Sequence, residues 1–222
     1  MKKLSFLGLV MLILFSCSKD ENQEPIIQPD PIPEPNYMPM TVGNYWVYQN
    51  IKVETSGETD LNKCDSLVIT RDTIIRDHQY FIFEGNYYPT PDWRIMNILR
   101  DSLGYIVGPS GDVFFSHKLP GVIIFDHYFM ADTDTIAYVK HHMAEETEEI
   151  DFPIGHYSAL NKIHTYDMFI NNPEYDSINI RPVNNYFIPE IGQATSGIFY
   201  ASLPWHIEKR LIRYEILHIV IN

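Results

Sequence analysis

Short runs of β-branched and aromatic residues, separated by turn residues, dominate the chain after residue 40. Such runs, bounded by Gly, Pro, Asn or Asp, are typical of strands. Turn signals such as Ser56-Gly57 recur between them, which favours short connections and antiparallel pairing. The fold class that the pattern predicts is all-β: one antiparallel domain, as a curved sheet, sandwich or half-barrel with little helix. Strands are expected at 44–48, 67–70, 80–83, 104–107, 113–115, 135–139 and 197–200.

The last run, residues 210–220, shows the alternation most clearly. Ile212, Tyr214 and Ile216 fall on one face of a strand, and Arg213 and Glu215 fall on the other. A helix would instead mix the charge of Glu215 into the apolar stripe, so the sequence predicts a strand. Helix is expected, if anywhere, at 92–99 and 142–149.

The N-terminus has three zones: Lys2 and Lys3, an apolar run from Leu4 to Phe15, and the small Ser16 before Cys17. This is the pattern of a signal peptide over residues 1–16. The apolar run is about twelve residues long, and crossing a bilayer as a helix takes about twenty. A permanent transmembrane helix is therefore the weaker interpretation.

Leu14-Phe15-Ser16-Cys17 resembles the lipobox of bacterial lipoproteins, although Phe15 departs from the small or polar residue usual there. The resemblance implies lipidation of Cys17 and membrane attachment through that lipid; an ordinary signal peptide with a chance cysteine is the alternative. The following Ser18-Lys19-Asp20-Glu21 resembles the acidic signal of Bacteroidetes-type lipoproteins. That resemblance implies display on the cell surface from the outer membrane, with the periplasmic face as the alternative.

Residues 17–39 form the lipidated cysteine and a proline-rich tether. Proline fixes φ and removes a donor, so this stretch favours an extended polyproline conformation. Some eighteen residues at about 3.1 Å each would reach on the order of 55 Å. The tether therefore separates residues 40–222 from the lipid. The prolines are Pro25, Pro29, Pro31, Pro33, Pro35 and Pro39.

The chain is acidic, with 29 Asp and Glu against 16 Lys and Arg and a formal charge of −13. Loss of Lys2 and Lys3 with the leader makes this −15. Nucleic acid is therefore excluded as a partner, because phosphate binding needs a basic surface. Cys64 is the only other cysteine, so it has no disulfide partner once Cys17 is lipidated, and we expect a buried or half-buried inert thiol.

Two stretches resemble the opening and closing strands of Bacteroidetes-type lipoprotein domains of unassigned function. One runs from Tyr37 to Tyr48 and contains Pro39, Gly43 and Trp46; the other is Ile188-Pro189-Glu190-Ile191-Gly192, followed by residues 208–215. The resemblance implies an antiparallel β domain. It carries over no catalytic residue.

Nine histidines raise the question of a metal site, and His141 with Glu145 is the densest candidate pair. A helix would place these residues one turn apart, at a spacing suited to two metal ligands. The alternative is a solvated acidic loop. Six scattered histidines are expected to be surface or satisfied structural residues: His117, His127, His156, His164, His206 and His218. No nucleophile elbow, phosphate loop or dinucleotide motif occurs, so the sequence gives no support to catalysis or to a cofactor.

Asp followed by Ser or Thr and then an aliphatic residue recurs five times. The pattern resembles the O-glycosylation acceptor of exported Bacteroidetes-type proteins, and a sugar would require exposed sites. Turn capping at the start of strands explains the same pattern equally well. The candidate acceptors are Ser66, Thr73, Ser102, Thr135 and Ser177.

Large aromatic residues in proline-containing loops are candidate ligand contacts: Tyr87, Tyr88, Trp93 and Trp205. Core packing is the alternative role. Three functions stay open at this point. The leading one is a binding or structural module that contacts a glycan or a neighbouring envelope protein; the others are a carrier of lipid or another apolar ligand in a β half-barrel, and an envelope hydrolase.

Overall fold

In a computed structural model of the chain, the described residues are 34–169, 180–200, 203 and 205–217. They form thirteen strands and, within those ranges, no helix, so no helix there is long and apolar enough to cross a membrane. The strands are β1 (Tyr45–Glu54), β2 (Gly57–Ile75), β3 (His78–Tyr87), β4 (Thr90–Ser102), β5 (Tyr105–Val107), β6 (Val113–Ser116), β7 (Ile123–Ala131), β8 (Asp134–Phe152), β9 (Gly155–Met168), β10 (Ile180–Ile188), β11 (Gly192–Gln193), β12 (Thr195–Ile198) and β13 (His206–Glu215).

The strands build two antiparallel curled sheets, each a half-barrel. The first has eight strands in the order β12-β13-β1-β2-β3-β4-β5-β6, and the second has five in the order β11-β10-β9-β8-β7. The all-β prediction is confirmed, and each of the seven predicted internal strands overlaps an observed one. Most neighbours in the sheets are also neighbours in sequence, as expected for short turns between long strands.

The core lies between the two sheets. Trp46, Phe83 and Phe115 come from the first sheet and Phe187 from the second, and each is at most 1% exposed. The ring centroids of Phe115 and Phe187 are 4.2 Å apart, so the inward faces of the sheets interdigitate. Aromatic side chains bury large apolar areas, so these four residues contribute strongly to the stability of the core.

A β-bulge changes which side of β13 faces the core. The register with β1 shifts between Val47 and Tyr48, whose partners are Arg213 and Leu211. The strand predicted at the C-terminus is therefore confirmed, but Leu211 and not Ile212 is the fully buried residue. Beyond the bulge Tyr214 packs partly against the core, as the alternation predicted.

The chain enters the domain through residues 34–40, which we call the lead-in segment. The compact unit begins at Glu34, ahead of residue 40 where the sequence placed the domain start. Tyr37 and Met38 are 7% and 3% exposed and belong to the core. The Asn36 backbone N–H donates to the Glu190 carboxylate (2.9 Å), and the Glu190 N–H donates to the Asn36 carbonyl (2.7 Å). Part of the predicted tether is thus built into the fold.

Two sequence predictions are wrong. The segments at 92–99 and 142–149 lie in β4 and β8, because each is hydrogen-bonded to neighbouring strands that override local helix propensity. Cys64 is exposed in β2 and not buried, because it lies in a stretch of that strand in which most side chains face solvent.

Candidate functional site

An open cleft of about 420 Å³ lies where β8 and β9 of the second sheet face β4, β6 and the loop between β5 and β6. Lys162 and His164 are two residues apart on β9, so both side chains point to the same face. His141 on β8 is directly opposite His164, and Phe125 on β7 is directly opposite His141. The cleft is lined by Asn97, Ile98, Leu99, Gly108, Ser110, Asp112, Val113, Phe114, Phe125, His141, Lys162 and His164.

Lys162 is the most unusual residue of the cleft, because it is only 7% exposed. Its Nζ lies 4.2 Å from the centre of the Phe114 ring, a cation–π contact. Burial lowers the pKa of Lys162 to about 8. Among the described residues no carboxylate forms an ion pair with it, in contrast to Lys140 with Asp167 and Lys209 with Asp65.

Three histidines form a row across β7, β8 and β9. The ring centroids of His127 and His141 are 5.4 Å apart, and those of His141 and His164 are 4.0 Å apart. The prediction that His127 and His164 are surface or satisfied residues is wrong, because His127 Nδ1 and His164 Nε2 are buried without a hydrogen-bond partner in the described structure, as is His141 Nε2.

His141 and His164 are uncharged at neutral pH. Burial, with a smaller contribution from the Lys162 charge, lowers the pKa of His141 to about 4 and that of His164 to about 2. A neutral imidazole offers one N–H donor and one acceptor nitrogen. The cleft therefore combines one buried cation, two neutral imidazoles that can donate, and an apolar wall.

The helix that would have paired His141 with Glu145 is absent. On a strand, residues four apart are separated by about 13 Å, and Glu145 is exposed. Within the described ranges, no three His, Cys, Asp or Glu side chains are placed to hold a metal ion. The three histidines come from neighbouring strands, with β8 between β7 and β9.

One solved structure shares the fold of the chain, and a second is less similar. A protein from Bacteroides fragilis described as exported, with a YmcC-like fold, is 12% identical with a TM-score of 0.50, over 82% of this chain and 99% of its own. A protein from Parabacteroides distasonis described as a lipoprotein is also 12% identical, with a TM-score of 0.38 and the same coverage. At this identity the first similarity shows the fold alone. No protein-family model matches the chain, and no curated protein does.

The predicted ligand-contact aromatics lie elsewhere, and Tyr87 has a structural role. Its ring lies 3.8 Å from the Nζ of Lys209, which pairs with the buried Asp65, and 5.6 Å from the guanidinium of Arg94. Tyr88 is half-buried, and its backbone N–H donates to Asp65 (3.2 Å).

The two predicted tryptophans differ in exposure. Trp93 on β4 is 53% exposed, whereas Trp205 is half-buried with Tyr200 against its ring at 5.1 Å. Contact of these four aromatics with a ligand stays a prediction.

The glycosylation candidates differ in exposure. Thr135 and the preceding Asp134 are both exposed at the start of β8. Ser66, Thr73 and Ser102 are half-buried, and the acids before them are used by the fold, as where Asp101 accepts from the Gly104 N–H (2.8 Å). Ser177 lies outside the described residues. Thr135 therefore has the surroundings that a sugar requires, and glycosylation stays a prediction.

Lys162, Phe114 and Phe125 were not among the site residues predicted from the sequence. One signal was available: Lys162 and His164 alternate with Ile163 on a stretch rich in β-formers, which places two polar side chains on one face. Which face of β9 is turned inward depends on its pairing with β8 and β10, and that pairing is set by residues distant in sequence. The cleft could therefore be located only in three dimensions.

We expect Lys162→Met to stabilise the protein at pH 7. A pKa of about 8 in the folded state, against the usual 10.5, corresponds to a cost of about 3 kcal/mol for keeping the charge. Below pH 8 Lys162 is charged in both the folded and the unfolded chain, and the full cost is present. Between pH 8 and pH 10.5 the folded chain has released the proton and the unfolded chain still binds it, so stability rises with pH and the cost disappears. Urea unfolding of both proteins from pH 6 to pH 10.5 measures this.

The difference between Lys162→Met and the wild type should therefore shrink as the pH rises. Lys140→Met is the control, because Lys140 is partly exposed and paired with Asp167. A stability difference for Lys162→Met that does not change with pH would contradict the buried cation.

Proposed function

We propose that the chain is a lipid-anchored binding protein of the bacterial envelope, held to the outer membrane through Cys17 with its domain on the cell surface, and that it binds a small ligand in the cleft between the sheets. The cleft carries this proposal. Its volume of about 420 Å³ lies within the range of small-molecule sites, which are mostly apolar with a few polar groups that fix orientation. The buried polar atoms without partners supply such groups.

Envelope location is supported by the leader, by Cys17 and by the proline-rich tether. The fold shared with a protein of Bacteroides fragilis described as exported agrees with it. The resemblance of residues 18–21 to an acidic export signal favours the cell surface over the periplasmic face.

Binding accounts for the cleft better than hydrolysis. Asp112 is the one acid among its described lining residues, and it is exposed. A hydrolase of the two-carboxylate type would require two acids on either side of a substrate. Because the core between the sheets is filled by large aromatic side chains, the ligand is held in an open cleft at the side of the half-barrels and not inside a closed one.

An uncharged solvatochromic dye such as Nile red tests the cleft. Phe125→Ala removes part of the apolar wall and should weaken dye binding about fivefold, the effect of about 1 kcal/mol of lost apolar contact. Phe129→Ala is the matched control, because Phe129 is on the same strand and does not line the cleft. The two side chains have similar exposures, 37% for Phe129 and 47% for Phe125. Equal losses in both variants, or no dye binding by the wild type, would overturn the proposal.

Mass spectrometry of the native protein after extraction from membranes tests the anchor and the sugars together. We expect a mature N-terminus at Cys17 with acyl groups, and added sugar mass at one or more of Ser66, Thr73, Ser102, Thr135 and Ser177. An unacylated chain would exclude the lipid anchor. Bare hydroxyls at all five positions would exclude glycosylation.

A further inference from the structure

We propose that the ligand of the cleft carries a carboxylate on an apolar body, and that Lys162, His141 and His164 bind the carboxylate. This inference rests on the proposed function, since it names the chemical class of the ligand that the cleft would take. Its support comes from three observations: a buried lysine that no described carboxylate pairs with, two imidazole nitrogens without a partner in the described structure, and an apolar wall beside them.

Among the described residues, no carboxylate pairs with the ammonium group of Lys162, which is only 7% exposed. Lys209, which is also buried, has Asp65 at 2.6 Å. A buried charge is costly unless it is paired. A ligand carboxylate in the cleft would supply the counter-charge that the described chain does not.

His141 and His164 add hydrogen-bond donors of the right kind. The Nε2 atoms of both rings are buried and without partners in the described structure, and both residues line the cleft with Lys162. Because burial keeps the imidazoles neutral, they do not repel the lysine and can donate an N–H to an anion. A carboxylate has two oxygens and about four acceptor positions, enough for the ammonium and both rings.

The rest of the lining fits an apolar body. Leu99, Val113, Phe114 and Phe125 contribute the wall of the cleft. Asp112 is the opposing charge at the site, but it is exposed and accepts a hydrogen bond from the Ser110 hydroxyl, so water screens it. The positive charge is thus the buried one and the negative charge is at the solvated rim.

A metal ion is a poorer occupant of the same residues. The three histidines come from three neighbouring strands, and no three His, Cys, Asp or Glu side chains among the described residues are placed to hold a metal ion. The ammonium of Lys162 would also repel a cation bound to His141 or His164, since its charge already lowers the pKa of both rings.

Three eight-carbon probes with different head groups test the inference: octanoate, octan-1-ol and octylamine. Isothermal titration calorimetry is carried out on the chain from Ser18 onward, which lacks the lipid and keeps the compact unit that begins at Glu34 whole. We expect octanoate to bind about tenfold more tightly than octan-1-ol, from one charge-assisted hydrogen bond, and octylamine to bind most weakly.

Lys162→Met should remove the preference for the carboxylate, so that octanoate binds no more tightly than octan-1-ol. The unchanged affinity of octan-1-ol in this variant would show that the cleft is intact. Lys140→Met is the matched control and should retain the tenfold preference, because Lys140 pairs with Asp167 and does not line the cleft.

The outcomes separate this inference from the proposed function. If no probe binds the wild type, the proposed function fails and the inference fails with it. If octanoate and octan-1-ol bind equally well, the cleft remains a binding site and the carboxylate is overturned. If the preference survives in Lys162→Met, the role of Lys162 is overturned.

Discussion

Trp46→Ala is expected to lower the free energy of unfolding by about 5 kcal/mol, the largest effect of any single substitution considered for this protein. Trp46 is 1% exposed and stacks on Phe83 with centroids 6.1 Å apart. Its indole N–H donates to the Ile191 carbonyl at 2.6 Å. The substitution would leave that carbonyl without its donor. Gly192 lies against the ring, since a Cβ there would be 3.2 Å from Nε1. Truncation leaves a cavity bordered by both sheets.

Trp93→Ala is the control, because it removes the same side chain from a position that is 53% exposed. Surface substitutions of this kind change stability by about 0.5 kcal/mol or less. Urea unfolding followed by far-UV circular dichroism compares the two variants without depending on tryptophan fluorescence. Similar losses in both would mean that the region around Trp46 and Ile191 is not the centre of the fold.

Lys209→Met is expected to cost about 3–5 kcal/mol, because it leaves a buried carboxylate without its cation. Lys209 and Asp65 are 6% and 3% exposed, and Nζ lies 2.6 Å from Oδ2. Burial lowers the pKa of Lys209, and the hydrogen bond with Asp65 opposes that shift. The pair connects β13 with β2 on either side of β1.

The double variant Asp65→Asn with Lys209→Met should recover part of the loss, because no unpaired charge stays buried. Lys118→Met is the control, since Lys118 pairs at 2.7 Å with the exposed Glu34 and such a pair contributes about 1 kcal/mol or less. Chemical unfolding of the four proteins completes the comparison. A loss in Lys209→Met no larger than in Lys118→Met would show that the buried pair is not needed.

Lys162 and Lys209, both buried in the described structure, are therefore expected to respond in opposite directions to replacement by Met. Lys209 has its anion within the chain, so removing the lysine destabilises the protein. Lys162 has no described anion, so removing it should stabilise the protein and weaken binding of a carboxylate. A residue that costs stability and lies in a cleft is a common sign of a functional site.

The fold class could be predicted from the sequence because strand signals are local. Alternation and turn residues located seven internal strands and the C-terminal strand. Residues 142–149 include four Glu together with Met143 and Ala144, all good helix formers. They nevertheless lie in β8, whose pairing with β9 is set by contacts distant in sequence. The same limit applies to the face of β13, where one bulge reverses the side that is buried.

The candidate site could not be predicted in the same way. The cleft needs Phe114 from β6, His141 from β8 and Lys162 from β9 to be close together, and only the register of the strands brings them there. The sequence pointed to His141 as a metal ligand paired with Glu145 on a helix. That helix does not form, because both residues lie in β8. His141 is part of the site for a different reason: it faces His164 across two paired strands.

The lead-in segment also has a mechanical consequence. If Cys17 is anchored as proposed, any drag on the domain is transmitted to the membrane through residues 34–40. Asn36 is held by two hydrogen bonds to Glu190, and Tyr37 and Met38 are inserted into the core. A pulling force would therefore act first on these two hydrogen bonds and on the packing of Tyr37 and Met38, which must give way before the load reaches β1.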